Sequence, residues 1–255
     1  IKPEVRGDAI HRYHKLGGRI VTLAKIDSPA VDTPTNWYRL FEMAERYGLP
    51  MKVIGGASNL MFTENGFNGL MVKYFYRGPY PKPEIDRDAG VIRCSAAIPL
   101  SLLVKEAAKS GFQMADLSGI PGTVGGALFN NSGNSKTGVN IGDFVQSVEI
   151  LDGAMRRSFT LTRDQMGFVQ RGNKLLGEFT TRHNVLRAVE LVPPQGEPAE
   201  TRSEWEVAVR YRAAKNRWAK TNAGSFWVNK IPNQMGDGVL TRDFILTSEL
   251  AGLDI

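Results

Sequence analysis

The sequence has 255 residues, a formal net charge of +6, 42% hydrophobic and 23% charged residues. That balance is ordinary for a soluble globular protein, long enough to bury a core without metal or disulfide support, and compatible with one large domain or two to three small ones. A lone cysteine, Cys94, excludes an internal disulfide framework and suits a reducing, cytoplasmic compartment. No run of about 18 apolar residues marks a membrane span. The positive charge fits a solvated basic surface or an anionic small molecule. Basic residues gather at Arg210, Arg212, Lys215, Arg217 and Lys220 without an interleaved aromatic platform, which disfavours nucleic acid.

The start, Ile1-Lys2-Pro3-Glu4, has no apolar signal-peptide core and no initiator methionine, so the true N-terminus is expected upstream. Trp37, Leu40, Phe41 and Ala44 recur at helical spacing, with start signals at Asp32 to Asn36 and stop signals at Gly48 and Pro50. Met51 to Ile54 and Gly69 to Phe75 read as strands, and the proline-dense 79–83 segment as a boundary. Val91 to Ala96 reads as strand, and Leu100, Leu103, Val104 and Ala107 as an amphipathic helix ended by Gly111. A glycine-rich stretch spans Ser118 to Gly142. Phe144 to Leu151 turns at Asp152-Gly153 and returns from Met155 to Leu161. Asn184 to Val192 is another strand, Pro193 to Pro198 a linker, and Ala199 to about Lys220 a polar, basic helix. These elements predict an α+β chain divided into 1–78, 79–194 and 195–255.

Two glycine loops carry the chemistry: Gly55-Gly56-Ala57-Ser58-Asn59-Leu60, directly after a strand, and Gly119-Ile120-Pro121-Gly122-Thr123-Val124-Gly125-Gly126-Ala127. Glycine lets the backbone approach a ligand closely, and successive N–H groups form a concavity suited to phosphate oxygens. Ser58, Asn59 and Thr123 add side-chain hydrogen bonds. Neither loop matches the Rossmann or P-loop spacing. Spacing alone therefore leaves ligand-free tight turns open beside phosphate binding, with a dinucleotide as one option.

Together the loops carry a resemblance. Gly55-Gly56-Ala57-Ser58-Asn59-Leu60-Met61 with Glu64-Asn65-Gly66-Phe67 is similar to the first flavin loop of the UDP-N-acetylenolpyruvoylglucosamine reductase (MurB) family. Ser118 to Ala127 with Asn131-Ser132-Gly133 resembles its second, and Asn222-Ala223-Gly224-Ser225-Phe226 with Asn229 its catalytic serine segment. The resemblance implies a two-part FAD-binding domain of the vanillyl-alcohol-oxidase/PCMH type, 1–78 and 79–194, followed by a partial substrate-binding domain, 195–255. It implies FAD held by Gly55 to Leu60, Ser118 to Thr123, Gly125, Gly126 and Asn131, with NADPH as co-substrate. NADPH would reduce the flavin, and hydride would pass from N5 to the enolpyruvyl group of UDP-N-acetylglucosamine enolpyruvate, giving UDP-N-acetylmuramate. A monomer, with neither nucleic acid nor membrane as partner, is expected.

The same resemblance assigns Arg171 to the substrate carboxylate, where charge develops as an enediolate, and Ser225 to proton donation. Arg212, Lys215 and Asn229 would contact the UDP-sugar, the two cations sitting one helical turn apart. On local sequence alone Arg171 reads rather as a surface arginine and Ser225 as a turn serine, while Arg212 with Lys215 is equally a solvated helix face. His11, His14 and His183 are scattered, so no metal site is expected. The chain departs from the family pattern at Gln170 (tyrosine there), Val228 (lysine), Ser95-Ala96-Ala97 (Gly-Ala-Gly), Tyr13-His14 (Thr-Phe) and a longer 134–140 segment. The family also continues past Leu253 to a catalytic glutamate that nothing before Ile255 matches, so the substrate domain is expected to be incomplete. The departures keep two alternatives open: a related flavoprotein acting on another sugar or hydroxyl substrate, and a flavin binder without turnover.

Overall fold

The computed structural model describes residues 2–6, 19–60, 65–169, 172–174 and 184–214. All of them lie in one compact unit, 1–222. Its first sheet has the order β1-β2-β4-β3, built from β1 (Lys2–Arg6), β2 (Arg19–Ile26), β3 (Met51–Ile54) and β4 (Phe67–Tyr74). β1 runs antiparallel to β2, whereas β2 and β3 both run parallel to β4. Helix α1 (Pro34–Arg46) connects β2 to β3. Its start is set by the Thr33 hydroxyl, which accepts from Asn36 N, and by Pro34 at the first helical position. The predicted stripe of Trp37, Leu40, Phe41 and Ala44 is its buried face. β1 and β2 escaped the sequence reading, and β4 starts two residues earlier than expected.

A second, antiparallel sheet has the order β5-β6-β11-β7-β8. In chain order come β5 (Glu84–Asp86), β6 (Val91–Ser95), α2 (Leu100–Lys109) and α3 (Val124–Phe129). Then follow β7 (Val145–Asp152), β8 (Arg157–Thr162), α4 (Arg163–Met166) and the short pair β9 (Phe168–Val169) and β10 (Gly172–Asn173). β11 (Asn184–Leu191) and α5 (Pro198–Ala214) complete the series. The β7–β8 turn is longer than the Asp152-Gly153 turn expected, because Asp152 Oδ1 accepts from both Ala154 N and Met155 N and draws them into the turn. One apolar cluster, including Ile26, Trp37, Leu70, Ile92, Leu103, Val148 and Leu191, runs through both sheets.

The proline-rich stretch before α5 is fastened rather than loose. Gly196 N donates to Gly111 O and Gln113 N to Pro194 O, each at 2.8 Å. α5 then packs on α2, with the buried Thr201 hydroxyl donating to Ala108 O at 2.7 Å. Thr201, Trp205, Ala208 and Arg212 form the less exposed stripe of an otherwise exposed helix. That spacing is one face of a helix turned toward its support.

Cys94 lies in β6 and is buried, and burial pushes its thiol up to about 12. A thiol reagent at neutral pH is therefore expected to label the protein only after denaturant is added; rapid labelling of the native chain would contradict this packing. Burial, reinforced by Asp32, also holds the Tyr74 hydroxyl well above its ordinary value and pushes Tyr76 up to about 12. Unfolded tyrosines ionise near pH 10, so the folded chain binds more protons between about 10 and 12. Stability is thus intact below pH 10 and falls as pH rises toward 12. Urea unfolding at pH 9 and 11 should show that fall, and Tyr76→Phe should flatten it.

Candidate functional site

The first glycine loop leaves the C-terminal end of β3, and the second lies between a 3-10 turn at Ala115–Leu117 and α3. They meet. A Cβ on Gly55 would collide with Thr123 Oγ1, and one on Gly56 would stand 2.8 Å from Gly122 Cα. Ser58 Oγ donates to Pro121 O at 3.0 Å, across 63 positions of sequence. Ala57 adopts φ +56°, a left-handed conformation that costs an alanine about 1–2 kcal/mol. Asn59 and Leu60 are exposed at the end of the loop.

In the second loop Gly119 has φ +68° and Gly122 φ +109°, the latter a conformation that side chains rarely tolerate. Residues 119–122 are only half-buried, so their backbone stays within reach of a ligand. Thr123 is buried, and its hydroxyl caps α3 by accepting from Gly126 N at 3.1 Å. Gly125 N donates to Ala96 O at 2.8 Å, and a Cβ on Gly125 would stand 3.0 Å from Ala96 Cβ. The Ser95-Ala96-Ala97 departure therefore forms the floor beneath this loop. Asn131 works on the backbone: Nδ2 donates to Val169 O at 2.9 Å, and Oδ1 accepts from Gly142 N at 3.0 Å.

Ser118 is 1% exposed, and its hydroxyl has no hydrogen-bond partner among the described residues. An orphaned buried hydroxyl is costly, and here it opens the loop assigned to the cofactor. The bare backbone and this waiting donor fit a phosphate-bearing group. No cluster of three or more His, Cys, Asp or Glu that could hold a metal occurs among the described residues.

Arg212 is brought to the second loop. A Cβ on Gly119 would stand 2.8 Å from Arg212 Cδ, and Nη2 donates to Asp116 O at 3.3 Å. Asp116 was not singled out by sequence, since no periodicity or motif marks it. Its carboxylate accepts from Asn134 Nδ2 at 2.9 Å and Thr137 Oγ1 at 2.8 Å, pinning the longer 134–140 segment beside the loop. Arg171, Lys215, Ser225 and Asn229 lie outside the described residues, as do Gln170 and Val228.

Replacing Gly56 with alanine should force the loops apart, because the atom it meets is backbone and cannot rotate away. A loss of about 1–3 kcal/mol in urea unfolding is expected. A variant as stable as the parent would show that the loops are not in contact.

A family model described as an FAD binding domain matches residues 31–155, a span containing both loops. The chain is 29% identical over 229 residues to UDP-N-acetylenolpyruvoylglucosamine reductase of Synechococcus sp. (strain WH7803), covering 85% of this chain and 71% of that protein. The protein of the same name from Prochlorococcus marinus (strain MIT 9313) is 28% identical over 228 residues, covering 85% and 72%. The crystal structure of UDP-N-acetylenolpyruvylglucosamine reductase (MurB) from Thermus caldophilus superposes with a TM-score of 0.65 at 22% identity, over 87% of this chain and 72% of that one, which establishes the shared α+β fold. The two joined loops thus lie in a span that matches an FAD binding domain, and over 85% of its length the chain is similar to UDP-N-acetylenolpyruvoylglucosamine reductases, which are FAD-binding oxidoreductases.

Proposed function

We propose that this chain carries out the FAD-dependent reduction of UDP-N-acetylglucosamine enolpyruvate to UDP-N-acetylmuramate with NADPH, in peptidoglycan precursor synthesis. The observation that carries the reading is the junction of the two glycine loops, through Gly56 and Gly122 and through Ser58 and Pro121, inside the span matched by the FAD-binding model. Backbone N–H groups of 55–59, Gly119 and Gly122 would hold the pyrophosphate, with Ser118 Oγ as a further donor. When bound, FAD supplies two-electron hydride transfer between NADPH and the enolpyruvyl double bond.

The protein's own residues then have distinct tasks. Arg171 would grip the substrate carboxylate and stabilise the charge that grows there. Ser225 would deliver a proton to the neighbouring carbon; a serine hydroxyl is a weak acid, so it acts only beside a developing carbanion. Lys215 and Asn229 would contact the UDP-sugar. Arg212 would reach it from the cofactor loop itself, since its stem lies on Gly119 rather than on the solvated face of α5. No helix among the described residues is long and apolar enough to cross a membrane. A monomer in the cytoplasm is the proposed working form; the single, buried thiol suits a reducing compartment.

The purified protein should show a flavin spectrum that NADPH bleaches and UDP-N-acetylglucosamine enolpyruvate restores. Bleaching without restoration would favour a relative with another substrate, and a colourless preparation that ignores added FAD would end the flavin reading. Ser225→Ala should leave bleaching intact and slow restoration by about 10²–10⁴-fold in stopped flow. Equal slowing of both half-reactions would remove Ser225 from its role.

A further inference from the structure

Asp32, only 9% exposed, gathers donors from three elements. Trp37 Nε1 of α1 donates to Oδ1 at 2.7 Å, and the Tyr74 hydroxyl at the end of β4 donates to Oδ2 at 2.6 Å. The Tyr76 hydroxyl, just beyond β4, also donates to Oδ2. Arg187 Nη2 of β11 lies 3.5 Å from Oδ1 and donates to the Asp32 main-chain oxygen at 3.1 Å. A buried charge of this kind seldom stabilises a fold more than apolar packing of the same volume would. What such a network adds is direction, because each hydroxyl points at one carboxylate oxygen.

That direction continues toward the glycine loops. Ser95 Oγ donates to Tyr76 OH at 3.4 Å and accepts from Ala97 N at 3.2 Å, while Tyr76 N donates to Ala97 O at 3.1 Å. Tyr76 thus holds the 95–97 turn by its side chain and its main chain together. The same turn carries the second loop: Ala96 O accepts from Gly125 N at 2.8 Å, and Ile98 O from Val124 N at 3.0 Å. Leu100 N in turn donates to Gly122 O at 3.1 Å, and Gly122 is the residue that meets Gly56. Close contact between Gly125 and Ala96 leaves little slack in this series.

We infer that Asp32 and Tyr76 are positioning residues for the cofactor cradle: the buried carboxylate orients the Tyr76 hydroxyl, Tyr76 and Ser95 orient the 95–98 turn, and the turn sets where Gly122 and Gly125 stand. The inference rests on the reading that these loops hold FAD. It assigns a cofactor-directed purpose to Ser95, which stands where the family usually has glycine.

The test compares FAD release from diluted holoprotein, followed by recovery of flavin fluorescence, with the bound-flavin spectrum and the melting temperature. Tyr76→Phe and Ser95→Ala should each speed release by about five-fold, the effect of one modest hydrogen bond, and shift the flavin spectrum. The double variant should be little worse than the poorer single, because both interrupt one series. Ser95→Thr, which keeps the hydroxyl, should release FAD at the parent rate. Trp37→Phe removes a donor to Asp32 away from the turn, so it should lower the melting temperature yet leave release unchanged. Lower melting temperatures for Tyr76→Phe and Ser95→Ala with parental release and spectrum would overturn the inference and leave the flavin reading standing. Faster release from Trp37→Phe equal to theirs would also overturn it, by showing a general loss of stability. A parent protein that holds no FAD at all would bring down the flavin reading and this inference with it.

Discussion

Contact between two backbones, possible only where side chains are missing, is the constraint on which the described site depends. Gly56 and Gly122 approach so closely that a single methyl on Gly56 would meet the opposing chain at 2.8 Å. Ser58 spans the same junction with a hydrogen bond to Pro121. The parallel strands β3 and β4 deliver one loop, while the turn after β6 and the start of α3 deliver the other. Glycine is conformationally costly in such numbers, and here it permits a backbone approach that no larger residue could make.

Behind that junction, polar groups do work that apolar packing could not. Asp32, Trp37, Tyr74, Tyr76 and Arg187 bring α1, β4 and β11 to one buried point. The apolar cluster through both sheets supplies bulk attraction of about 1.5–3 kcal/mol for each large side chain buried, but it does not fix orientation. Directional bonds from one carboxylate do. The raised tyrosine hydroxyls follow from the same arrangement, since burial disfavours their ionised forms.

α5 shows how a basic stretch acquires a particular use. Its charge pattern reads as a solvated face, yet Thr201, Trp205, Ala208 and Arg212 form the stripe turned toward the protein. Arg212 buries its stem on Gly119, where no Cβ obstructs it, while its guanidinium meets the Asp116 carbonyl. Beside it Lys136 Nζ donates to the Tyr211 hydroxyl at 3.0 Å. The end of this helix therefore touches the second loop and the 134–140 segment together.

Local pattern by itself was enough to determine α1, α2, β3, β6, β7 and β11, because helical spacing and short apolar runs need only neighbouring residues. It also marked both glycine loops, since glycine runs after a strand are visible without a partner, and the family resemblance supplied the flavin and the reaction. It missed β1 and β2, where no alternation stood out, and took the 193–198 segment as a linker because proline hides its hydrogen bonds to Gly111 and Gln113. Only the tertiary structure decided that Gly56 abuts Gly122, that Asp32 serves two tyrosines, and that Asp116 and Arg212 support the same loop. Those are meetings between residues tens of positions apart, and the physical terms that govern them, steric approach and satisfaction of buried polar groups, exist only once the chain has closed on itself.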